Sequence, residues 1–204
     1  MNLGIDRLLN IFKENDIIYW LDSGTLLGLH RDGQLISGDP DIDISVLENN
    51  RILSLVQKLK DVDIRVKKQR EKVVKIKIYG LNERVVDISF FKDTNKNFYI
   101  SPQFNINDSH ILLKISLIKK ILLSYLYRAK SLDYKILESL KIVHTGYWLV
   151  PKELICIDQL EKKDNSKSRV QLKIEEYLTY RYGDWRKKVS NWSTTKHDRG
   201  LYFF

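Results

Sequence analysis

A single cysteine, Cys156, excludes an internal disulfide in this chain of 204 residues. With four scattered histidines beside it, no ligand spacing for a Cys/His zinc site exists either. Cys156 lies in an apolar run and reads as a buried thiol in a reducing compartment. No run of 18 uncharged apolar residues is present, so no transmembrane helix is expected. The opening residues, Met1-Asn2-Leu3-Gly4-Ile5-Asp6-Arg7, lack the basic start and apolar core of a signal peptide. The expectation is a cytoplasmic protein, with peripheral contact at the inner face of the membrane as the one membrane association considered. No repeat and no long Pro/Gly/Ser linker divides the sequence. Residues 1–204 are therefore expected to form one domain with a substantial core.

Acidic residues are the minority charge, 26 against 35 Lys and Arg, and the net charge of +9 favours polyanionic partners. Neither zinc-finger spacing nor RNP aromatics accompany that charge, so no nucleic-acid partner is assigned. The segment Lys67-Lys68-Gln69-Arg70-Glu71-Lys72 reads as a polar hairpin turn without chemistry.

Against this basic background, three carboxylates crowd into Asp39-Pro40-Asp41-Ile42-Asp43-Ile44. Asp41 and Asp43 alternate with isoleucine, and a period of two places both on one face of a strand. Like charges so close raise each other's pKa, a cost that a divalent cation removes. Mg²⁺ takes hard oxygen ligands and is commonly held by one or two carboxylates plus substrate phosphates. Asp39 reads as an outer-shell group or a turn former.

Two flanking features point the same way. Upstream, the apolar run Ile17-Ile18-Tyr19-Trp20-Leu21 reads as a buried strand, followed by Asp22-Ser23-Gly24-Thr25 and the start of a helix. Backbone N–H groups at such a helix start can hold a phosphate, and Ser23 and Thr25 add hydroxyls. Asp22 reads as structural. Downstream, Arg84-Val85-Val86-Asp87-Ile88-Ser89-Phe90-Phe91 is an apolar strand with a carboxylate in its middle. If the two strands are neighbours, Asp87 completes a triad with Asp41 and Asp43.

The remaining pattern predicts helices over 3–15, 25–31 and about 49–60, and strands over 17–21, 41–46, 62–66, 73–79, 85–91 and 98–100. Residues 32–40 form a loop over the site. Helices over 111–127 and 130–140 are expected to cover the sheet.

Gly24-Thr25-Leu26-Leu27-Gly28, then Arg31 and Gly33, then Asp39-Pro40-Asp41-Ile42-Asp43-Ile44, resembles the LicD family, which includes bacterial phosphocholine transferases and relatives of fukutin. A second match, Glu176-Tyr177-Leu178 with Arg181-Tyr182-Gly183-Asp184-Trp185, is similar to that family's C-terminal segment. The chain departs from the pattern at Ser37-Gly38, Pro40 and Asp32, where the family usually has Pro-Trp, a third Asp and His.

The resemblance implies an α+β fold: a nucleotidyltransferase-like mixed sheet covered by helices, with a C-terminal helical and aromatic segment. It implies a Mg²⁺- or Mn²⁺-dependent transferase of polysaccharide assembly that moves a phospho-alcohol group, such as phosphocholine or ribitol phosphate, from a CDP-linked donor to a sugar hydroxyl of a glycan or glycolipid, with release of CMP. Asp41 and Asp43 would hold the metal. Asp87 would share a second metal or take the acceptor's proton. Ser23, Gly24 and Thr25 would position a phosphate, and Arg31 would offset charge on the transferred group. A nucleotidyltransferase that moves a nucleoside monophosphate from an NTP is the alternative. The aromatics Tyr177, Tyr180, Tyr182, Trp185 and Trp192 read either as seam filling or as a wall that stacks on a base or headgroup.

Overall fold

The computed structural model describes residues 4–69, 72–94, 98–105, 145–157, 170–192 and 194–203. The helices expected over 111–127 and 130–140 lie outside these residues.

The first helix, α1 (Asp6–Glu14), buries Leu8 and Phe12 and is followed by β1 (Tyr19–Leu21). Asp22 caps α2 (Ser23–Asp32) by accepting the Ser23 N–H, and Gly33 ends that helix in the left-handed conformation at φ 69°. Then come β2 (Asp41–Leu47), the short α3 (Ile52–Val56), β3 (Asp63–Gln69), β4 (Lys72–Tyr79) and β5 (Val85–Asp93). The later elements are β6 (Phe98–Asn105), β7 (Thr145–Pro151), β8 (Ile155–Ile157), β9 (Val170–Leu172), α4 (Ile174–Tyr182), α5 (Thr194–His197) and β10 (Leu201–Phe203).

Eight strands form one mixed sheet in the order β1-β2-β5-β6-β7-β10, with β4 also paired to β5 and β3 at its outer edge. Only β2 and β5 run parallel among the pairs described; all the others are antiparallel. β8 and β9 make a separate two-stranded sheet.

Alternation along the central strands divides the sheet into two unlike faces. Ile42, Ile44 and Val46, Ile76 and Ile78, and Val86, Ile88 and Phe90 point into a core closed by Ile5, Leu8 and Phe12 and by Ile52, Leu55 and Val56. The residues between them, Asp41, Asp43, Lys75, Lys77 and Asp87, point the other way. A second apolar cluster on that side joins Trp20, Leu26, Phe91 and Trp148 to Tyr177, Leu178 and Trp185. The sheet is thus covered on one face by α1 and α3 and flanked on the other by α2 and α4, with charged groups between.

Three expectations need correction. Residues 67–69 and 72 belong to strands β3 and β4, so Lys67, Lys68 and Lys72 are strand residues, paired with Lys75, Val73 and Gln69, and not turn residues. The helix expected over 49–60 is confined to Ile52–Val56. Cys156 is exposed, because on β8 Ile155 takes the buried side and its neighbour faces outward. Strand β7 was not expected, and it carries the buried Trp148 and Val150. No described helix is long and apolar enough to cross a membrane.

Candidate active site

Parallel pairing of β2 with β5 sets Asp43 directly opposite Asp87, and Asp41 lies two residues before Asp43 on the same face. One carboxylate oxygen from each of the three lies within 4.8 Å of the others. Asp87 is 3% exposed, and its Oδ1 has no hydrogen-bond partner among the described residues. Burial, and then the charges of Asp41, Asp22 and Asp87, push the Asp43 carboxyl well above the usual carboxylate range. An orphaned buried oxygen, close spacing and mutual repulsion suit an all-oxygen donor set for a hard divalent cation, so these residues fit a Mg²⁺ or Mn²⁺ ion.

Asp39 adjoins the triad. Burial, a hydrogen bond with Asp41 and the Asp41 charge raise its pKa to about 6, and Arg84 pulls weakly the other way. A Cβ on residue 24 would collide with the Asp39 Oδ2, so any larger residue there would have to turn the Asp39 carboxylate aside. At residue 28 a Cβ would meet Gln34 O at 2.7 Å and Ile36 N at 2.8 Å. The two glycines of the Gly-Thr-Leu-Leu-Gly segment therefore create a seat on α2 for the loop that delivers Asp39 to β2. Arg84 Nη1 donates to Ile36 O at 3.1 Å and secures that loop from the β5 side.

The turn at the start of α2 is bound to the triad strand. Thr25 is 1% exposed, and its Oγ1 accepts the Asp43 N–H at 2.8 Å. The Asp22 N–H donates to Asp43 O at 3.1 Å. Ser23 is held at φ 48°, a left-handed conformation that costs a non-glycine residue about 1–3 kcal/mol. Its Oγ is buried without a hydrogen-bond partner among the described residues. Strain together with an unused hydroxyl at a helix N-terminus suits an anion that arrives later.

Arg31 is elsewhere. It lies six residues beyond Thr25 on α2, about 9 Å along the axis at ~1.5 Å per residue. Its Nε and Nη2 bind Asp32 at 3.2 and 2.8 Å. That contact and Lys188 hold Asp32 down at about 2. The structure thus brings Asp41, Asp43, Asp87, Thr25 and Gly24 together, with Ser23 at their edge, and sets Arg31 against Asp32.

Two groups of residues near the site were not named as site residues in the sequence. The first is cationic. Lys75 Nζ lies 3.0 Å and Lys77 Nζ 3.5 Å from Asp87 Oδ2. Lys67 stands opposite Lys75 on β3, and its ammonium is disfavoured by burial first and then by Lys75. The alternation Val74-Lys75-Ile76-Lys77-Ile78 carried the signal, since it puts both lysines on the polar face of a strand.

The second group is a buried hub behind the site. Asp22 receives the Ser45 hydroxyl at 2.5 Å, the Tyr177 hydroxyl at 2.6 Å and Arg181 Nη1 at 3.1 Å. Arg181 also forks onto Asp198, with Nε and Nη2 at 2.9 and 2.6 Å. Burial works against the guanidinium, but Asp198, Tyr177, Tyr182 and Asp22 outweigh it and keep Arg181 charged. Burial and the Asp22 charge likewise raise the Tyr177 hydroxyl well above its ordinary value. The spacing of Tyr177 and Arg181, one helical turn apart, was the available signal. Of the tail aromatics, Tyr177 and Trp185 are buried in the second cluster and Trp192 is exposed.

Residues 16–118, half of the chain, match the family described as LicD/FKTN/FKRP, nucleotidyltransferase domain. Uncharacterized protein RT0683 of Rickettsia typhi (strain ATCC VR-144 / Wilmington) is 32% identical over 91 residues, which cover 43% of this chain and 27% of that protein. This chain therefore spans about a quarter of the length of that relative. Among solved structures, lincosamide antibiotic adenylyltransferase LnuA in its lincomycin-bound form is 20% identical with a TM-score of 0.37, over 52% of this chain and 63% of that one. ANT(2")-Ia in complex with adenylyl-2"-tobramycin is 18% identical with a TM-score of 0.34, over 47% and 51%.

Proposed function

This chain belongs to the LicD/FKTN/FKRP nucleotidyltransferase family, and we propose that it is a metal-dependent transferase that moves a phospho-alcohol group from a CDP-linked donor to a sugar hydroxyl of a glycan or glycolipid. The observation that carries this reading is the placement of Asp43 opposite Asp87 with Asp41 beside them. A Mg²⁺ or Mn²⁺ ion on these three carboxylates would supply charge neutralisation for the phosphates of the donor.

The rest of the chemistry falls to the chain's own groups. The acceptor hydroxyl oxygen attacks the phosphorus that carries the alcohol, and the bond from that phosphorus to CMP breaks, with its electron pair leaving on CMP. Ser23 Oγ and the N–H groups at the start of α2 would orient a phosphate oxygen. The hydroxyl proton passes to a carboxylate of the cluster. Asp39, beside Asp41 in the cluster, is suited by position to receive it, with Asp87 the other candidate. Arg31 would exchange Asp32 for charge on the leaving nucleotide. We read residues 1–204 as one catalytic domain.

The test is a screen of CDP-activated alcohols with Mg²⁺ or Mn²⁺, read as CMP release. CMP release that depends on a sugar acceptor supports the proposal. Pyrophosphate release from an NTP, without CMP release from any CDP-alcohol, would replace it with nucleoside monophosphate transfer.

A further inference from the structure

The face of the sheet that bears the triad is cationic on its other half. Register carries Arg65 on β3 to Lys77 on β4, and Lys77 to Asp87 on β5. The adjacent row carries Lys67 to Lys75 and Lys75 to Ser89. Three ammonium groups therefore lie on neighbouring positions of one hairpin, and Lys67 and Lys75 are directly opposed. Like charges in that relation destabilise a sheet unless an anion stands beside them.

Lys75 and Lys77 both turn to one oxygen, Asp87 Oδ2, at 3.0 and 3.5 Å. That carboxylate is already engaged in the donor set, and its other oxygen is buried without a partner among the described residues. A cation accepted by the triad would claim the Asp87 charge and leave both lysines facing the site with no equal counter-charge. Arg65 is occupied by Asp63 at 3.1 Å and lies over the Tyr79 ring at 4.6 Å, so it is left out of the subsite.

We propose that Lys75 and Lys77, with Lys67 beside them, form a phosphate-binding subsite adjoining the triad on the β3–β4 hairpin. The inference rests on the reading of Asp41, Asp43 and Asp87 as a metal site. The ligand chemistry is a phosphate mono- or diester group next to the ion, from either the donor's diphosphate or a phosphorylated acceptor. Lysine suits this task as a compact charge with three donors on a flexible stem. In the absence of ligand, Asp87 holds the two ammonium groups in place.

The experiment uses the full chain and its Lys75→Gln/Lys77→Gln variant, with Lys75→Arg/Lys77→Arg as the charge-retaining control and thermal unfolding to verify folding. Mn²⁺ binding is first read by paramagnetic resonance. CDP, pyrophosphate and cytidine are then titrated calorimetrically at saturating Mn²⁺. The glutamine variant is expected to retain Mn²⁺ and cytidine and to bind CDP at least about tenfold more weakly, the order expected for losing charged hydrogen bonds. The arginine variant recovers most of that loss. A loss for CDP assigns the subsite to the donor; a loss for pyrophosphate alone assigns it to a phosphorylated acceptor. Unchanged affinity for both, or an equal fall for CDP and cytidine, overturns the proposal. If the parent chain binds no Mn²⁺, the metal reading fails separately, and the lysines are judged by pyrophosphate binding in chelator: weakened binding in the glutamine variant supports them, and equal binding overturns them.

Discussion

Arg181 and Asp22, 159 positions apart, meet at 3.1 Å with both side chains 1% exposed. The contact ties α4 to the residue that caps α2 and accepts the Ser45 hydroxyl from the triad strand. Arg181→Met would leave Asp22 and Asp198 buried without their cation. Removal of one partner from such a pair costs about 3–5 kcal/mol. Urea unfolding of Arg181→Met should show that loss, and Arg181→Lys should fall between the variant and the parent.

Replacing a triad residue should have the opposite character. Asp43→Asn removes one of several mutually repelling carboxylates, so the metal-free protein should unfold at the same temperature or slightly higher. The stabilisation by Mg²⁺ should vanish. For the parent, a ligand at a hundred times its dissociation constant contributes about 2.7 kcal/mol. Thermal unfolding with and without Mg²⁺ checks both statements.

The pH dependence follows from the direction of two shifts. Asp39 is raised from 3.8 to about 6, and Asp43 is also raised. The folded metal-free chain therefore holds these protons more tightly than the unfolded chain. The resulting stability is complete below the unfolded pKa near 3.8 and is lost as pH rises through about 6 for Asp39 and through the raised pKa of Asp43. A bound cation favours the ionised carboxylates and reverses the trend. The unfolding temperature in chelator, relative to that in Mg²⁺, should fall between about pH 5 and pH 7. Asp39→Asn should flatten the part of that fall near pH 6.

Gly28→Ala tests the seat on α2. The added methyl would meet backbone atoms of Gln34 and Ile36, which cannot turn away as a side-chain tip can. Overpacking of this kind costs about 1–3 kcal/mol. The loop that carries Asp39 should shift with it, so Mn²⁺ affinity should weaken even under conditions where the variant remains folded. Calorimetric titration of Mn²⁺ reads that change.

The triad was legible because its information is local. Asp41-Ile42-Asp43 and Val86-Asp87-Ile88 each carry a period of two that fixes the side on which the carboxylates point. The β2–β5 adjacency then required only that two strongly apolar strands be neighbours in one sheet. The roles of Gly24 and Gly28 were less visible, because the atoms they make room for come from a loop 6 to 15 residues away. Lys67 read as part of a polar hairpin turn and Lys75 was given no role on its strand, since register across β3 and β4 is not written in either strand alone. The Asp22–Arg181–Asp198 hub was hidden by sequence distance: Asp22 read as structural, but its partner Arg181 stands 159 positions away, with Asp198 a further 17 on, and they show themselves only when the chain closes. Cys156 misled through its apolar neighbours, which say that β8 is a strand but not which of its faces is covered.

The central claim is that Asp41, Asp43 and Asp87 grip one divalent cation. Crystals grown with Mn²⁺ and measured for its anomalous signal test it most directly. The account predicts a peak bounded by oxygens of all three carboxylates, at about 2.0–2.2 Å, with Lys75 displaced from Asp87. An empty triad at saturating Mn²⁺, with Lys75 still on Asp87, would contradict it.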